Sequence, residues 1–184
     1  FGSLSSQITL IHESNQQLQA ETRNLVTALR RPEVRGQWGE LTLKRLAELA
    51  GMVEYCDFVE QEQVVEDGKA SRPDMIVRMP DHRELIVDAK TPLDAYLSAI
   101  EAEDAEHRQR FLLQHARNVR KRVDELSKKA YWSQFKHSPD YVVLFIPGEQ
   151  FLTAALEQDG KLLEDALQNR VVLATPTTII ALLR

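Results

Sequence analysis

The chain reads as a mixed α/β domain, a sheet flanked by helices with a helical arm in front, and three observations predict it. Alternating segments within residues 52–65, 75–79 and 84–89 have the period of half-buried strands. Two continuous apolar runs, "YVVLFI" at 141–146 and "VVLA" at 171–174, are those of strands covered on both faces. The stretches between them carry the three-to-four spacing of amphipathic helices. The order is helix, three strands, helix, strand, helix, strand, helix, which calls for a sheet with helices packed on its faces.

The arm comes first. Leu4, Ile8, Ile11, Asn15, Leu18, Thr22, Leu25 and Leu29 alternate steps of four and three, the seam of a coiled coil. Asn15 and Thr22 sit on that seam, where a polar residue can fix register and oligomer state. We therefore expect a self-associating arm over residues 1–31, with Pro32 and Gly36 breaking the helix, and one domain over 32–184. A helix over about 36–50 follows, with Trp38, Leu41, Leu46 and Leu49 inward and Gly51 as its stop. Residues 52–65 contain one strand, and "RPDMIVRMPDHRELIVDAK" at 72–90 reads as a hairpin. Pro92 opens a helical stretch to about 129, as two helices or one kinked one. Residues 150–168 read as helical. After the strand at 171–174, Thr175 and Pro176 suit the N-cap and first turn of a last helix.

The bulk properties narrow the function. With 43% hydrophobic and 28% charged residues, the chain has the composition of a globular protein. A net charge of -5 gives no global basic field, so any polyanion must meet a local patch. The single cysteine, Cys56, excludes an internal disulfide and a zinc ribbon, and fits a reducing, cytoplasmic setting. No run approaches the roughly 18 apolar residues that cross a bilayer, so no membrane contact is expected of this stretch. The first residue is not Met and the last residues, "TTIIALLR", stop inside an apolar helical pattern, so we expect a fragment truncated at its C-terminus. His12, His82, His107, His115 and His137 show no zinc-helix spacing.

The hairpin carries the chemistry. Met75, Val77 and Met79 share one face, as do Leu85, Val87 and Ala89, so odd positions must pair with odd. The simplest register turns over 80–82, sets Val77 opposite Leu85 and Arg78 opposite Glu84, and places Asp74 opposite Asp88. Lys90 lies two residues on, along the same face. Facing carboxylates repel unless a cation lies between them, and a hard divalent ion is the obvious one. A lysine beside it can hold a water or steady a phosphate, an arrangement suited to metal-assisted phosphodiester hydrolysis. The same spacing also suits a charged, solvated sheet face.

"RPD" followed by "VDAK" resembles the motif of the PD-(D/E)XK nuclease superfamily. More specifically, "RGQWGELTLKRLAE", "RPDMIV", "LIVDAKTPLDAY", "QHARNVRKRVDELSKKAYW", "DYVVLFIPGE" and "ATPTTIIALLR" together resemble the RmuC family of bacterial DNA recombination proteins, over residues 30–184. The resemblance implies a restriction-endonuclease-like core of αβββαβ order and a magnesium- or manganese-dependent nuclease. It also implies a longer parent protein, with a membrane anchor and a long coiled coil before the domain. Carried over, it makes Asp74, Asp88 and the Ala89 carbonyl metal ligands and gives Lys90 the attacking water. It places Glu40 beside the metal from the preceding helix, and Gln114 near the site.

DNA would need a basic track. Arg110, Gln114, Arg117, Lys121 and Lys128 fall at helical spacings on one polar stripe, opposite Leu112, Ala116, Val119, Val123 and Leu126. Tyr131 and Trp132 can stack on bases or pack in the core. Gly148 and Glu149 are expected to border the cleft. The expected protein is thus a DNA nuclease, held as a homo-oligomer by its arm and limiting rearrangements in recombination. A DNA-binding or scaffolding module that keeps the fold but cuts little is the second expectation.

Overall fold

A computed structural model of the protein describes residues 27–52, 56–58, 73–78, 84–129 and 140–183. The chain forms two compact units, Phe1–Arg35 and Gly36–Arg184. Most of the arm's seam, the hairpin turn at 80–82, Tyr131, Trp132 and the side chain of Cys56 lie outside the described residues. Within the first unit the Arg31 amide donates to the Ala28 carbonyl at 3.1 Å, closing a helical turn just before Pro32.

Helix α1 spans Pro32–Leu49. Pro32 stands in its first turn, where a fixed φ is preorganised and the missing N–H has no helical partner to lose. Gly36 lies inside the helix and does not break it, contrary to the expectation. The stop is as expected. Gly51 adopts φ 75, its amide donates to Glu48 at 3.0 Å, and the Met52 amide reaches back to Ala47 at 3.0 Å. Those two bonds make a Schellman motif, for which glycine avoids a Cβ penalty. The inward face matches the expected one in part, since Leu46 is buried and Trp38 packs edge-on against Phe151. Gly39, Leu43, Leu46 and Ala47 are buried, whereas Leu41 and Leu49 are 65% and 61% exposed. The face mixes Leu43 and Leu46, which enter the core, with Gly39, where the helix backbone runs close to Ala89.

Among the described residues five strands form one sheet in chain order: β1 (Cys56–Phe58), β2 (Met75–Arg78), β3 (Glu84–Asp88), β4 (Val142–Phe145) and β5 (Val171–Ala174). The first three pair antiparallel and the last three parallel, so the sheet is mixed. The hairpin register is the one the alternation requires, with Val77 opposite Leu85 and Arg78 opposite Glu84. One sheet face, from Met75, Val77, Leu85, Val87, Val143, Phe145 and Ala174, joins Leu43, Leu46 and Ala47 of α1 in a single core. The last helix, α6 (Pro176–Leu183), adds Ile179 and Leu183 to it. Burying one such side chain is worth about 1.5–3 kcal/mol.

The other face carries Ile86 and Leu144, both buried, and by alternation Asp74 and Asp88. The stretch after Pro92 is two helices, α2 (Asp94–Glu101) and α3 (Ala105–Lys129). Asp104 caps α3 by accepting the His107 amide at 2.8 Å. Helix α3 buries Ala116, Val119, Val123 and Leu126 and packs on β4 and β5. The segment after β4 also divides, into α4 (Glu149–Gln158) and α5 (Leu162–Gln168). Arg120 of α3 ties both down, holding Asp159 at 2.6 and 2.8 Å and Asp165 at 2.6 Å.

His115, which shows no zinc-helix spacing in the sequence, is fully buried on α3. Its Nε2 donates to the Phe151 carbonyl at 2.9 Å, its ring meets Tyr96 edge-on, and its Nδ1 has no hydrogen bond. Burial lowers its pKa against the pull of the Phe151 and Pro92 carbonyls. The unfolded chain therefore binds a proton on His115 that the folded chain refuses, between the lowered pKa and about 6.5. Its contribution to stability is complete above about 6.5 and is lost as pH falls from there through the lowered value. Thermal melts from pH 8 to pH 5 check this: His115→Gln, whatever its absolute stability, should lack that component of the acid slope.

Candidate functional site

At the end of the hairpin, local sequence sets the polar atoms. The backbone of Asp74 extends the ladder, its amide donating to the Val87 carbonyl at 3.2 Å. One Asp74 oxygen, Oδ2, accepts the Ala89 amide at 2.7 Å. The other, Oδ1, faces Lys90 Nζ at 3.4 Å. Asp88 Oδ1 accepts the Lys90 amide at 3.2 Å, the turn an aspartate makes with the amide two residues on. Thr91 then fastens the strand end to β4, its hydroxyl donating to the Phe145 carbonyl at 2.8 Å. Asp74, Asp88 and Lys90 thus meet at one corner of the sheet, as the spacing implies.

The electrostatics of the corner are uneven. Burial, and then the charge of Asp88, raise the Asp74 pKa above the usual carboxylate value; the Ala89 amide and Lys90 oppose them without cancelling them. Asp88 itself is 0% exposed and holds a partner that the sequence reading missed. Arg122 Nη2 donates to both Asp88 oxygens at 2.8 Å, while its Nη1 donates to Glu125 at 3.0 Å. Burial disfavours charge on Arg122, but Asp88 and Glu125 more than offset it, and its pKa is raised. Its Nε is buried without a hydrogen bond. The available signal was its phase on the helix: Arg122 borders the apolar stripe between Val119 and Val123, where a lone cation calls for a buried anion.

Helix α1 approaches the end of β3 from the opposite sheet face. A Cβ on Gly39 would lie 3.1 Å from the Ala89 carbonyl oxygen, which would have to give by a few tenths of an ångström to admit one. Glu40 is the next residue and its side chain is exposed. A prediction arises here. Gly39→Val should destabilise the protein by about 1–3 kcal/mol through overpacking and shift the Ala89 carbonyl. Gly39→Ala should come nearer to neutral, because its better helix propensity, about 1 kcal/mol, offsets a milder clash. Denaturant titration of the two variants measures both.

The basic stripe is solvent-facing. Arg110, Gln114, Arg117, Lys121 and Lys128 are all exposed, and Gln114 donates to Asn118 at 2.8 Å. At about 100° per residue, Arg122 lies roughly that far around the helix from Lys121. The stripe and the corner therefore occupy different sides of α3, and the described contacts do not join them. Glu149, expected at a cleft, accepts the Thr177 amide at 3.2 Å and serves the start of α6. Bonds from Thr175 and Thr177 lower its pKa. Thr175 precedes α6 as expected, its carbonyl accepting the Ile179 amide at 2.8 Å and its hydroxyl meeting that of Thr178 at 2.7 Å.

Among the described residues no three or more His, Cys, Asp or Glu side chains gather around one point as an ion would need. Two carboxylates and a backbone carbonyl are nevertheless the hard oxygen donors that magnesium or manganese takes. A cation beside Asp74 would act against the burial and the Asp88 charge that raise its pKa. An ion there would compete with Arg122 for Asp88, and the Ala89 carbonyl already accepts the Thr91 amide at 3.1 Å. Among the described residues no helix is long and apolar enough to cross a membrane.

Comparison with known proteins places the chain. The RmuC family model matches residues 1–184. A protein of Zymomonas mobilis, named DNA recombination protein RmuC homolog, is 45% identical over 185 residues, 100% of this chain and 41% of its own length. A protein of Chlamydia trachomatis with the same name is 35% identical, again over 100% of this chain and 41% of its own. DNA recombination protein RmuC of Escherichia coli is 34% identical over 98% of this chain and 39% of its own. The chain thus spans about two fifths of the length of the relatives it matches. No solved structure matches it.

Proposed function

The chain belongs to the RmuC family, and on that premise we propose that it is the nuclease part of a DNA recombination protein. In this reading it cuts phosphodiester bonds with magnesium or manganese and limits rearrangements. The observation that carries the reading is the hairpin corner, where Asp74, Asp88 and Lys90 converge on one side of the sheet. Asp74, Asp88 and the Ala89 carbonyl would hold the ion, with Glu40 assisting from α1. Bound there, the ion would polarise a phosphoryl oxygen and make its water more acidic. Lys90, whose side chain is 59% exposed, extends past Asp74 to where a DNA backbone would arrive. Its ammonium orients the attacking water and faces the charge that develops on the phosphate.

DNA beyond the cut would have to pass around α3 to set its phosphates against Arg110, Arg117, Lys121 and Lys128, which with Gln114 face another side of that helix from the corner. The arm's seam supports a homo-oligomer that holds several such sites together. The lone cysteine supports a cytoplasmic domain. One observation favours a second reading. The closed ion pair between Asp88 and Arg122 is also what a non-cutting DNA-binding or scaffolding module would keep for structure alone. Incubation with linear and circular, single- and double-stranded DNA in magnesium, manganese or chelator tests the proposal. Metal-dependent products support the nuclease. Chelator-insensitive DNA binding without products, from folded protein, supports the scaffold.

A further inference from the structure

We propose that Arg122 holds the cation's place at Asp88, so that the guanidinium and a divalent ion exclude one another there and loading the site means displacing Arg122 toward Glu125. This inference rests on the metal-dependent reading above and concerns how that corner is filled.

Three observations carry it. Both Asp88 oxygens accept from one guanidinium nitrogen at 2.8 Å, and Asp88 has no exposure through which water could serve as a further partner. An ion cannot take either oxygen at bonding distance without weakening those bonds, because the two cations would share one buried carboxylate. Among the described residues only Asp88 and Glu125 hold the Arg122 guanidinium. Its side chain is 14% exposed, and its Nε has no hydrogen bond to lose. An alternative acceptor stands one turn along α3: Glu125, 45% exposed, already holds Nη1 at 3.0 Å. Arg122 can therefore leave Asp88 without being left unpaired in the interior.

Manganese titration by calorimetry of the full chain tests the proposal, with wild type, Arg122→Gln, Glu125→Gln and Asp88→Asn. Arg122→Gln should bind the ion tenfold or more tightly than wild type, because nothing competes for Asp88. Glu125→Gln should bind it severalfold more weakly, because the displaced guanidinium loses its acceptor. Asp88→Asn should bind little or none. Equal or weaker binding by Arg122→Gln, with Asp88-dependent binding in wild type, overturns the inference and leaves the site reading intact. Binding that survives Asp88→Asn, or is absent from every protein, overturns that reading and the inference with it. Should Arg122→Gln fail to fold, the wild-type arginine Nε–H resonances decide. Saturating magnesium should move the Arg122 signal and expose it to solvent exchange, and an unmoved signal overturns the proposal.

Discussion

Asp88→Ala should abolish metal-dependent cutting and also lower stability by about 3–5 kcal/mol. The two losses have one origin. Asp88 is fully buried, and its carboxylate is the acceptor that lets Arg122 keep its charge beneath the surface. Without it the guanidinium would keep Glu125 but lose the two shorter of its three ion-pair bonds, with no bound ion to offset the loss. A domain stable by about 5–15 kcal/mol in total feels such a loss strongly. Asp88→Asn separates the effects: it preserves shape and one acceptor oxygen, so stability should fall less while cutting is still lost. Replacing both partners, as in Asp88→Leu with Arg122→Met, should recover most of the stability, since burying neither charge removes the desolvation penalty. Urea melts of wild type, Asp88→Leu, Arg122→Met and the double variant measure the coupling, with Asp88→Ala and Asp88→Asn alongside. If Asp88→Ala were as stable as wild type, the ion pair would not be the structural contact described above.

Lys90→Ala should behave in the opposite way. Cutting should fall by about 10²–10⁴-fold, the range for losing a group that positions or transfers a proton in the transition state. Stability should change by less than about 1 kcal/mol, because the ammonium is largely solvated and its pair with Asp74 is long at 3.4 Å. The loss should fall on kcat more than on KM, since the lysine acts where charge develops. Unchanged cutting by Lys90→Ala would remove the lysine from the chemistry and leave it a surface partner of Asp74.

How much of this was legible in the chain depends on how far apart the determining residues lie. The hairpin register followed from residues within about fifteen positions of each other. Alternating Met75, Val77, Leu85 and Val87 demanded one side, and Arg78 with Glu84 picked the pairing. The apolar strands at 142–145 and 171–174 announced themselves because coverage on both faces removes polar positions. Helix α1 misled because Leu41 and Leu49 look like core, whereas the packed face runs through Gly39, Leu43, Leu46 and Ala47, with Gly39 at its close approach to Ala89. Leucine marks burial on average, and close approach selects small side chains instead. Gly36 was misread for a related reason, since one glycine does not stop a helix that a proline has started. Arg122 was the costliest omission. Its partner lies 34 residues earlier on another element, so their meeting depends on how α3 packs against the sheet. No local spacing encodes that, and in "RNVRKRVDEL" Arg122 is one basic residue among four.

The most direct measurement of the central claim is DNA cleavage by wild type, Asp88→Asn and Lys90→Ala, purified in parallel and assayed with manganese before and after chelation. Cutting by wild type alone, lost on chelation and restored by added metal, is the predicted result. Equal cutting by all three proteins would assign the activity elsewhere, and no cutting by folded wild type that binds DNA would contradict a nuclease at this corner.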